Sequence, residues 1–128
     1  MSAHAVEKYL RTIQALDDEG VEVIQARIAE RMAKKASSVS QMVDRLTTYG
    51  YVLRSGRRIY LTDWGREVAA GIIRKHRLAN RLLVDVLGLP DELAQQEANR
   101  WEHAMSDEVA SLVATLLADS PSHSLQAI

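Results

Sequence analysis

The stretch Gln25-Ala26-Arg27-Ile28-Ala29-Glu30-Arg31-Met32, followed by Lys34-Lys35-Ala36 and then Ser37-Ser38-Val39-Ser40-Gln41-Met42-Val43-Asp44-Arg45-Leu46-Thr47-Thr48, decides the fold. In the first segment Ile28, Ala29 and Met32 fall at helical spacing, so Gln25–Met32 reads as a short helix with one apolar face. In the last segment Val39, Met42, Val43 and Leu46 make a second helical stripe, and Ser37 or Ser38 suits the N-cap because its oxygen can accept an orphan backbone N–H. Two helices joined by so short a connection form a helix-turn-helix, whose second helix, here Ser37–Thr48, is the candidate recognition helix. Gly50 ends that helix. Tyr51-Val52-Leu53 and Ile59-Tyr60-Leu61 are β-rich runs around Arg54-Ser55-Gly56-Arg57-Arg58, predicting a two-stranded hairpin with a basic tip. A hairpin directly behind a helix-turn-helix makes the unit winged.

Outward from this centre the pattern is helical. Val6, Tyr9, Leu10, Ile13 and Leu16 give residues 5–17 one apolar face, closed by Gly20. Thr62 or Asp63 caps a long helix predicted to reach Val86, and Gly88-Leu89-Pro90 breaks it. Helices follow at 91–104 and 107–118. The expected fold is therefore mainly α: a winged helix-turn-helix over 1–66, a helical domain over 67–119, and a frayed tail over 120–128.

Composition bounds the function. The 128 residues are 47% hydrophobic and 26% charged, which fits a folded chain. No apolar run reaches the roughly 18 residues of a membrane span, and the N-terminus lacks the basic and apolar regions of a secretory signal, so a cytoplasmic protein with no membrane partner is expected. With no cysteine, disulfides, Cys-based zinc sites, iron–sulfur clusters and thiol nucleophiles are excluded. There is no glycine-rich phosphate loop and no Gly-x-Ser-x-Gly elbow, and the adjacent Glu102-His103 pair is not the His-Glu-x-x-His array of zinc proteases, so an enzyme is not expected.

The net charge of −1 hides an asymmetry. Residues 27–66 hold nine Arg/Lys against three acids, a net +6; residues 1–26 carry −3 and residues 67–128 carry −4. A basic sub-region between acidic ends is either the footprint of a nucleic-acid surface or a solvated helix face. The element order favours double-stranded DNA. The small polar tip of the recognition helix fits a major groove about 12 Å wide, where Gln41 can pair with adenine and Ser37, Ser38 and Ser40 can reach bases or phosphates. Arg27, Lys34, Lys35, Arg45, Arg57 and Arg58 suit phosphate contacts, which position the protein without specifying sequence.

The chain also resembles a known family. Tyr9-Leu10-Arg11-Thr12-Ile13, Ala26 to Arg31, Val39 to Val43, Leu61-Thr62-Asp63-Trp64-Gly65, Arg74-Lys75-His76-Arg77-Leu78, Leu82 to Pro90 and Arg100-Trp101-Glu102-His103-Ala104-Met105-Ser106 occur in the order found in the metal-responsive repressors typified by the diphtheria-toxin repressor, the iron-dependent regulator and the manganese transport regulator. The similarity spans residues 6–118. It implies a homodimeric repressor of metal-homeostasis genes, activated by Mn or Fe and binding a palindromic operator. The length resembles the two-domain manganese plan, whereas the segments lean to the iron branch.

The resemblance implies a metal site built from His76, Asn99, Glu102 and His103. Neutral imidazole and carboxylate are sensible ligands for such ions. Three positions depart from the family. Lys8 stands where the first helix supplies a Met or an Asp, Arg11 where some manganese regulators place a Glu, and Asn99 where a Cys or Glu is expected. Asn80 and Gln95 likewise stand at auxiliary positions that elsewhere hold an acid and an imidazole. Two expectations follow. In one, the reduced site still takes its ion. In the other, the Lys8 ammonium, which donates but cannot accept, takes the ion's place, and the protein works without metal or answers to an organic anion. For the dimer, Leu83, Val86, Leu87 and Leu89 are the expected interface, alongside a second apolar stripe through Trp101, Met105, Val109 and Leu112.

Overall fold

The computed structural model describes residues 3–119. The elements are α1 (Ala3–Asp18), α2 (Gln25–Met32), α3 (Ala36–Thr48), β1 (Val52–Ser55), β2 (Arg58–Leu61), α4 (Asp63–Arg81), a π-helical turn (Leu82–Val86), α5 (Asp91–Ala104) and α6 (Asp107–Asp119). The tail expected over 120–128 lies outside the described residues. The chain divides into two compact units, Met1–Gly71 and Ile72–Ile128.

The first unit is a winged helix-turn-helix. Its core joins Leu10, Ile13 and Leu16 of α1, Ile28 of α2, the α3 stripe Val39, Met42, Val43 and Leu46, and Val52, Ile59 and Leu61 of the hairpin. Each fully buried Leu or Ile contributes roughly 1.5–3 kcal/mol of apolar transfer energy, so this shared interior, more than helix propensity, holds the short α2 in place. α1 ends as its sequence predicts: Gly20 adopts φ 77° and Val21 N–H donates to Leu16 O at 3.0 Å. α2 closes by the same device without a glycine. Ala33 takes φ 53°, and Lys34 N–H donates to Ala29 O at 3.0 Å. That left-handed turn brings Lys35 into an extended conformation as the N-cap of α3, with no side-chain cap bond. The helix thus begins at Ala36, one residue before the expected start, and Ser37 and Ser38 lie in its exposed first turn instead of capping it.

β1 and β2 pair antiparallel from Val52↔Leu61 to Ser55↔Arg58, leaving Gly56-Arg57 as a two-residue turn with Gly56 at φ 59°. The turn is tighter than the five-residue tip expected, because Arg54, Ser55 and Arg58 belong to the strands. The α1–α2 loop adds a further rung: Ile24 bridges Arg58, and Ile59 N–H donates to Val23 O at 2.9 Å. Thr62 starts α4 as expected, its hydroxyl accepting Gly65 N–H at 3.0 Å.

In the second unit, Leu78, Ala110, Val113 and Leu117 form one apolar cluster, and Ala79, Leu83, Ala94 and Ala98 form another. The long helix expected to reach Val86 is α-helical only to Arg81. Its last turn widens, with Leu87 N–H donating to Leu82 O at 3.1 Å, and closes when Gly88 adopts φ 74° and Leu89 N–H donates to Leu83 O at 2.9 Å. Leu83 is buried in its own unit, so it cannot serve the expected subunit interface; Leu89 packs against the same core, while Val86 and Leu87 are exposed.

Candidate nucleic-acid interface and metal centre

Burial of Val39, Met42, Val43 and Leu46 rotates the other side of α3 outward. Ser37, Ser38, Gln41, Asp44, Arg45 and Thr48 are exposed there, and Ser40 is half-buried at its edge. Lys34 and Lys35 are exposed in the turn just before the helix. Among the described residues, no ion pair engages Lys34, Lys35 or Arg45. The other cations expected to meet phosphate are held differently. Arg27 pairs with Glu30 at 3.2 Å, Arg57 with Glu22 at 2.9 Å, and Arg58 approaches the second Glu22 oxygen at 3.9 Å. Arg54 of β1 reaches across to Asp44 of α3 at 2.7 Å. With the Gln25 amide turned to present its oxygen, it accepts from both Arg54 nitrogens at 2.9 and 3.2 Å. Glu22 and Asp44 were not among the expected site residues. Their partners lie 35 and 10 positions away in the chain, where no local pattern links them.

The second cluster lies within the second unit. Glu102 of α5 has a side chain with no solvent exposure, a position that a carboxylate tolerates only when paired. One of its oxygens lies 2.7 Å from His76 Nδ1 of α4, and the other 3.2 Å from Nε2 of His103, whose side chain is 3% exposed. Because a carboxylate only accepts, Nδ1 of His76 carries the proton. The opposite nitrogen, Nε2, faces the Gln95 side-chain oxygen at 2.5 Å. So three of the four expected metal residues, His76, Glu102 and His103, come together. Asn99 does not join the hydrogen-bonded network: it follows the buried Ala98 on α5 and is exposed. Gln95, one turn earlier, is the amide in contact with His76. Asn80 Oδ1, one turn beyond His76 on α4, is buried and, among the described residues, accepts no hydrogen bond. Lys8 is exposed on α1 in the first unit.

Two imidazoles and one carboxylate are a donor set suited to a borderline divalent ion such as Mn, Fe, Co or Zn, and on that chemistry the residues fit a metal. Among the described residues no three acidic or imidazole side chains yet converge on one point; Glu102 instead spans the two imidazoles.

An apolar cleft of about 380 Å³ lies in the same unit, lined by Leu82, Trp101, Met105, Val109 and Val113 among others. Val109, Leu112 and Leu116 of α6 are exposed. Among the described residues no helix is long and apolar enough to cross a membrane.

Comparison with known proteins bears on both clusters. Residues 1–59 match the iron dependent repressor N-terminal DNA binding domain, and residues 62–123 match the iron dependent repressor metal binding and dimerisation domain. The iron-dependent repressor IdeR of Mycobacterium tuberculosis is 52% identical over 104 residues, 80% of this chain and 45% of that protein. The diphtheria toxin repressor of Corynebacterium diphtheriae is 47% identical over 114 residues, 88% of this chain and 50% of that protein. The chain thus spans about half the length of the curated relatives it matches. Among solved structures, a manganese-dependent transcriptional repressor in complex with manganese superposes with a TM-score of 0.81 at 30% identity, covering 90% of this chain and 53% of that one. The metal-dependent transcriptional regulator MtsR gives 0.82 at 28% identity, covering 90% and 54%. Nothing in these matches supports the alternative in which Lys8 replaces the ion or an organic anion is sensed. With a DNA-binding domain matched over one half and a metal-binding and dimerisation domain over the other, the chain belongs to the iron-dependent repressor family.

Proposed function

We propose that the chain is a homodimeric, sequence-specific DNA-binding repressor whose grip on its operator depends on a divalent transition metal, Mn or Fe. The observation that carries the DNA reading is the outward face of α3: Ser37, Ser38 and Gln41 project from its first turns beside Lys34, Lys35 and Arg45, whose charges no carboxylate neutralises among the described residues. The side chains that can read base edges and the cations that can hold phosphates share the exposed face of one helix, with Lys34 and Lys35 just before its first turn and Arg45 in its last. Gln41 and the serines supply discrimination, and the lysines supply affinity that is blind to sequence. A two-fold dimer of such units reads a palindrome. The exposed Val109, Leu112 and Leu116 of α6 are apolar surface of the kind a second subunit covers. Such a protein acts where the DNA is, in the cytoplasm.

Glu102 and His103, with His76 beside them, are the residues that would hold the ion. When bound, a divalent cation supplies the positive charge that lets a buried carboxylate and neutral imidazoles be shared as ligands. This chain's own part is positional. His76 Nδ1–H fixes one Glu102 oxygen, and His103 stands at the other. The Gln95 amide lies against the other ring nitrogen of His76, so His76 and Glu102 are placed relative to one another before an ion arrives.

Selection of genomic fragments by the purified protein tests the reading, run with chelator and again with Mn(II) or Fe(II). Retention of a discrete palindromic set with metal alone is the expected result. Equal retention with chelator would overturn the metal gate, and no salt-dependent retention under any condition would overturn the DNA reading. Ser37→Ala and Gln41→Ala should relax the recovered sequence, whereas Lys34→Ala and Lys35→Ala should weaken all duplexes alike.

A further inference from the structure

We propose that Glu22 and Asp44 act as internal phosphate substitutes that keep the wing electrostatically silent toward generic DNA, and so set the ratio of specific to non-specific binding. This rests on the DNA-binding reading above. The wing carries three arginines, Arg54, Arg57 and Arg58. Each faces a carboxylate of another element: Arg54 meets Asp44 at 2.7 Å, Arg57 meets Glu22 at 2.9 Å, and Arg58 lies 3.9 Å from Glu22. The wing's three positive charges are thereby reduced to a net of one.

Surface ion pairs between freely moving side chains are weak because ordering two long chains costs entropy. Here much of that ordering is done by the backbone. The loop bearing Glu22 is stitched to β2 by the Ile24–Arg58 bridge and by the 2.9 Å bond from Ile59 N–H to Val23 O. Val23, next to Glu22, is buried in the core of the first unit. On the other side Arg54 is shared between Asp44 and the Gln25 amide oxygen, which ties wing, α2 and α3 together. The Arg58 guanidinium also lies 5.2 Å from the centre of the Tyr60 ring, a further contact that holds it down.

Non-specific binding is almost wholly counterion release by phosphate-neutralising cations. An arginine already neutralised by a fixed carboxylate releases little when a random duplex approaches. It contributes only when recognition by α3 brings a phosphate close enough to displace the carboxylate. The clamp therefore subtracts from the non-specific term more than from the specific one, and specificity is the difference between them.

The test is anisotropy titration of the full chain with a fluorescent duplex of unrelated sequence, at a series of salt concentrations from 50 to 200 mM. Wild type is compared with Glu22→Gln, Asp44→Asn and, as a control for net charge alone, Glu67→Gln on the exposed side of α4. Each arginine released to a phosphate steepens the log–log salt slope by about 0.9, roughly a threefold wider loss of affinity across that salt range. The expected result is that Glu22→Gln and Asp44→Asn bind random duplex several-fold more tightly at 50 mM with a steeper slope, that Glu67→Gln matches wild type, and that affinity for a selected operator fragment rises less. Equal behaviour of Glu22→Gln and Glu67→Gln would overturn the proposal, as would a loss of affinity in Glu22→Gln, which would make Glu22 an aligning group. If wild type bound no duplex at any salt, the DNA reading itself would have failed, a separate and recognisable outcome.

Discussion

Two glycines on α4 should respond to the same substitution with opposite sign. In a helix interior Ala is favoured over Gly by roughly 1 kcal/mol because Gly loses more backbone entropy on folding. At Gly71 nothing stands in the way: a Cβ built there meets no heavy atom within 4 Å. Gly71→Ala should collect most of that gain. At Gly65 the same atom would lie 2.1 Å from the Tyr51 carbonyl oxygen, 3.0 Å from its carbon and 3.2 Å from Leu61 Cδ2. The obstacle is backbone that is itself fixed, since the Tyr51 oxygen accepts Thr62 N–H at 2.9 Å and lies 3.1 Å from the Thr62 hydroxyl. That hydroxyl also lies 2.7 Å from Gly50 O and accepts Gly65 N–H. Making room needs a shift of about 1 Å between α4 and the end of α3's exit turn, a displacement that overpacked sites resist at roughly 1–3 kcal/mol. Weakening one bond of the Thr62 cap adds about 1 kcal/mol. Set against the propensity gain, Gly65→Ala comes out destabilising by about 2 kcal/mol. At roughly 3–5 °C per kcal/mol for a chain of this size, calorimetry should show Gly65→Ala melting about 6–10 °C lower and Gly71→Ala about 2–4 °C higher. Both variants moving the same way would refute the reasoning, because the reasoning rests on the Tyr51 contact that separates them.

Other perturbations follow from the same contacts. Glu102→Ala strands two imidazoles around a buried hole and should cost about 3 kcal/mol in urea melts, while isothermal titration with Mn(II) should lose at least an order of magnitude in affinity; unchanged uptake would remove Glu102 from the metal centre. Leu112, 69% exposed on α6, should tolerate Asp without loss of helix content, yet, on the proposed homodimer, sedimentation equilibrium should find wild type at dimer mass and Leu112→Asp at monomer mass. The Lys75 ammonium, hydrogen-bonded to Asp107 at 2.9 Å, holds that carboxyl below the usual carboxylate range. The folded state therefore binds fewer protons there, so this contribution is present above the ordinary carboxylate pKa and is lost as pH falls through the depressed folded value; Asp107→Asn should lower stability slightly at neutral pH and flatten the acid limb of a stability–pH curve, the two curves converging at low pH. Ala33, at φ 53°, should gain about 1 kcal/mol when replaced by Gly, read as a higher urea midpoint.

Much of the fold was legible because it is written in local periodicity. The stripes Val39-Met42-Val43-Leu46 and Leu10-Ile13 can be buried only as helices, and the β-rich runs around Gly56 can pair only as a hairpin. What was misread depended on backbone states or on which face the core selects. Nothing in Ala33 announces a left-handed turn, so the start of α3 slipped by one residue and two serines were credited with a cap they do not make. Leu83 and Leu87 have the same side chain; only packing against Ala79, Ala94 and Ala98 puts the first inside and leaves the second exposed. His76, Glu102 and His103 were expected from resemblance to hold a metal, and the fold places both imidazoles beside the Glu102 carboxylate. The resemblance also set Gln95 beside His76, where the structure has it at 2.5 Å, whereas Asn99 is exposed on α5.

The charge pattern holds the deeper lesson about reading function from windows of sequence. Residues 27–66 sum to +6 and residues 1–26 to −3, and a linear reading assigns the first to DNA and treats the second as a separate acidic end. In space the two interleave. Glu22 comes from the acidic segment and lies against Arg57 and Arg58; Glu19 comes from it too and pairs with Arg31 at 2.6 Å. The carboxylates at the end of α1 thus neutralise part of the patch, and Asp44 neutralises Arg54 from within it. Among the described residues, Lys34 and Lys35 just before α3 and Arg45 in its last turn meet no carboxylate. On the proposed DNA-binding reading, positive charge left uncompensated along α3 and compensated over the wing would bring a duplex to α3 first. That ordering favours recognition over indiscriminate adhesion, and it arises from where acids fold back onto the basic region, not from how many bases the region contains.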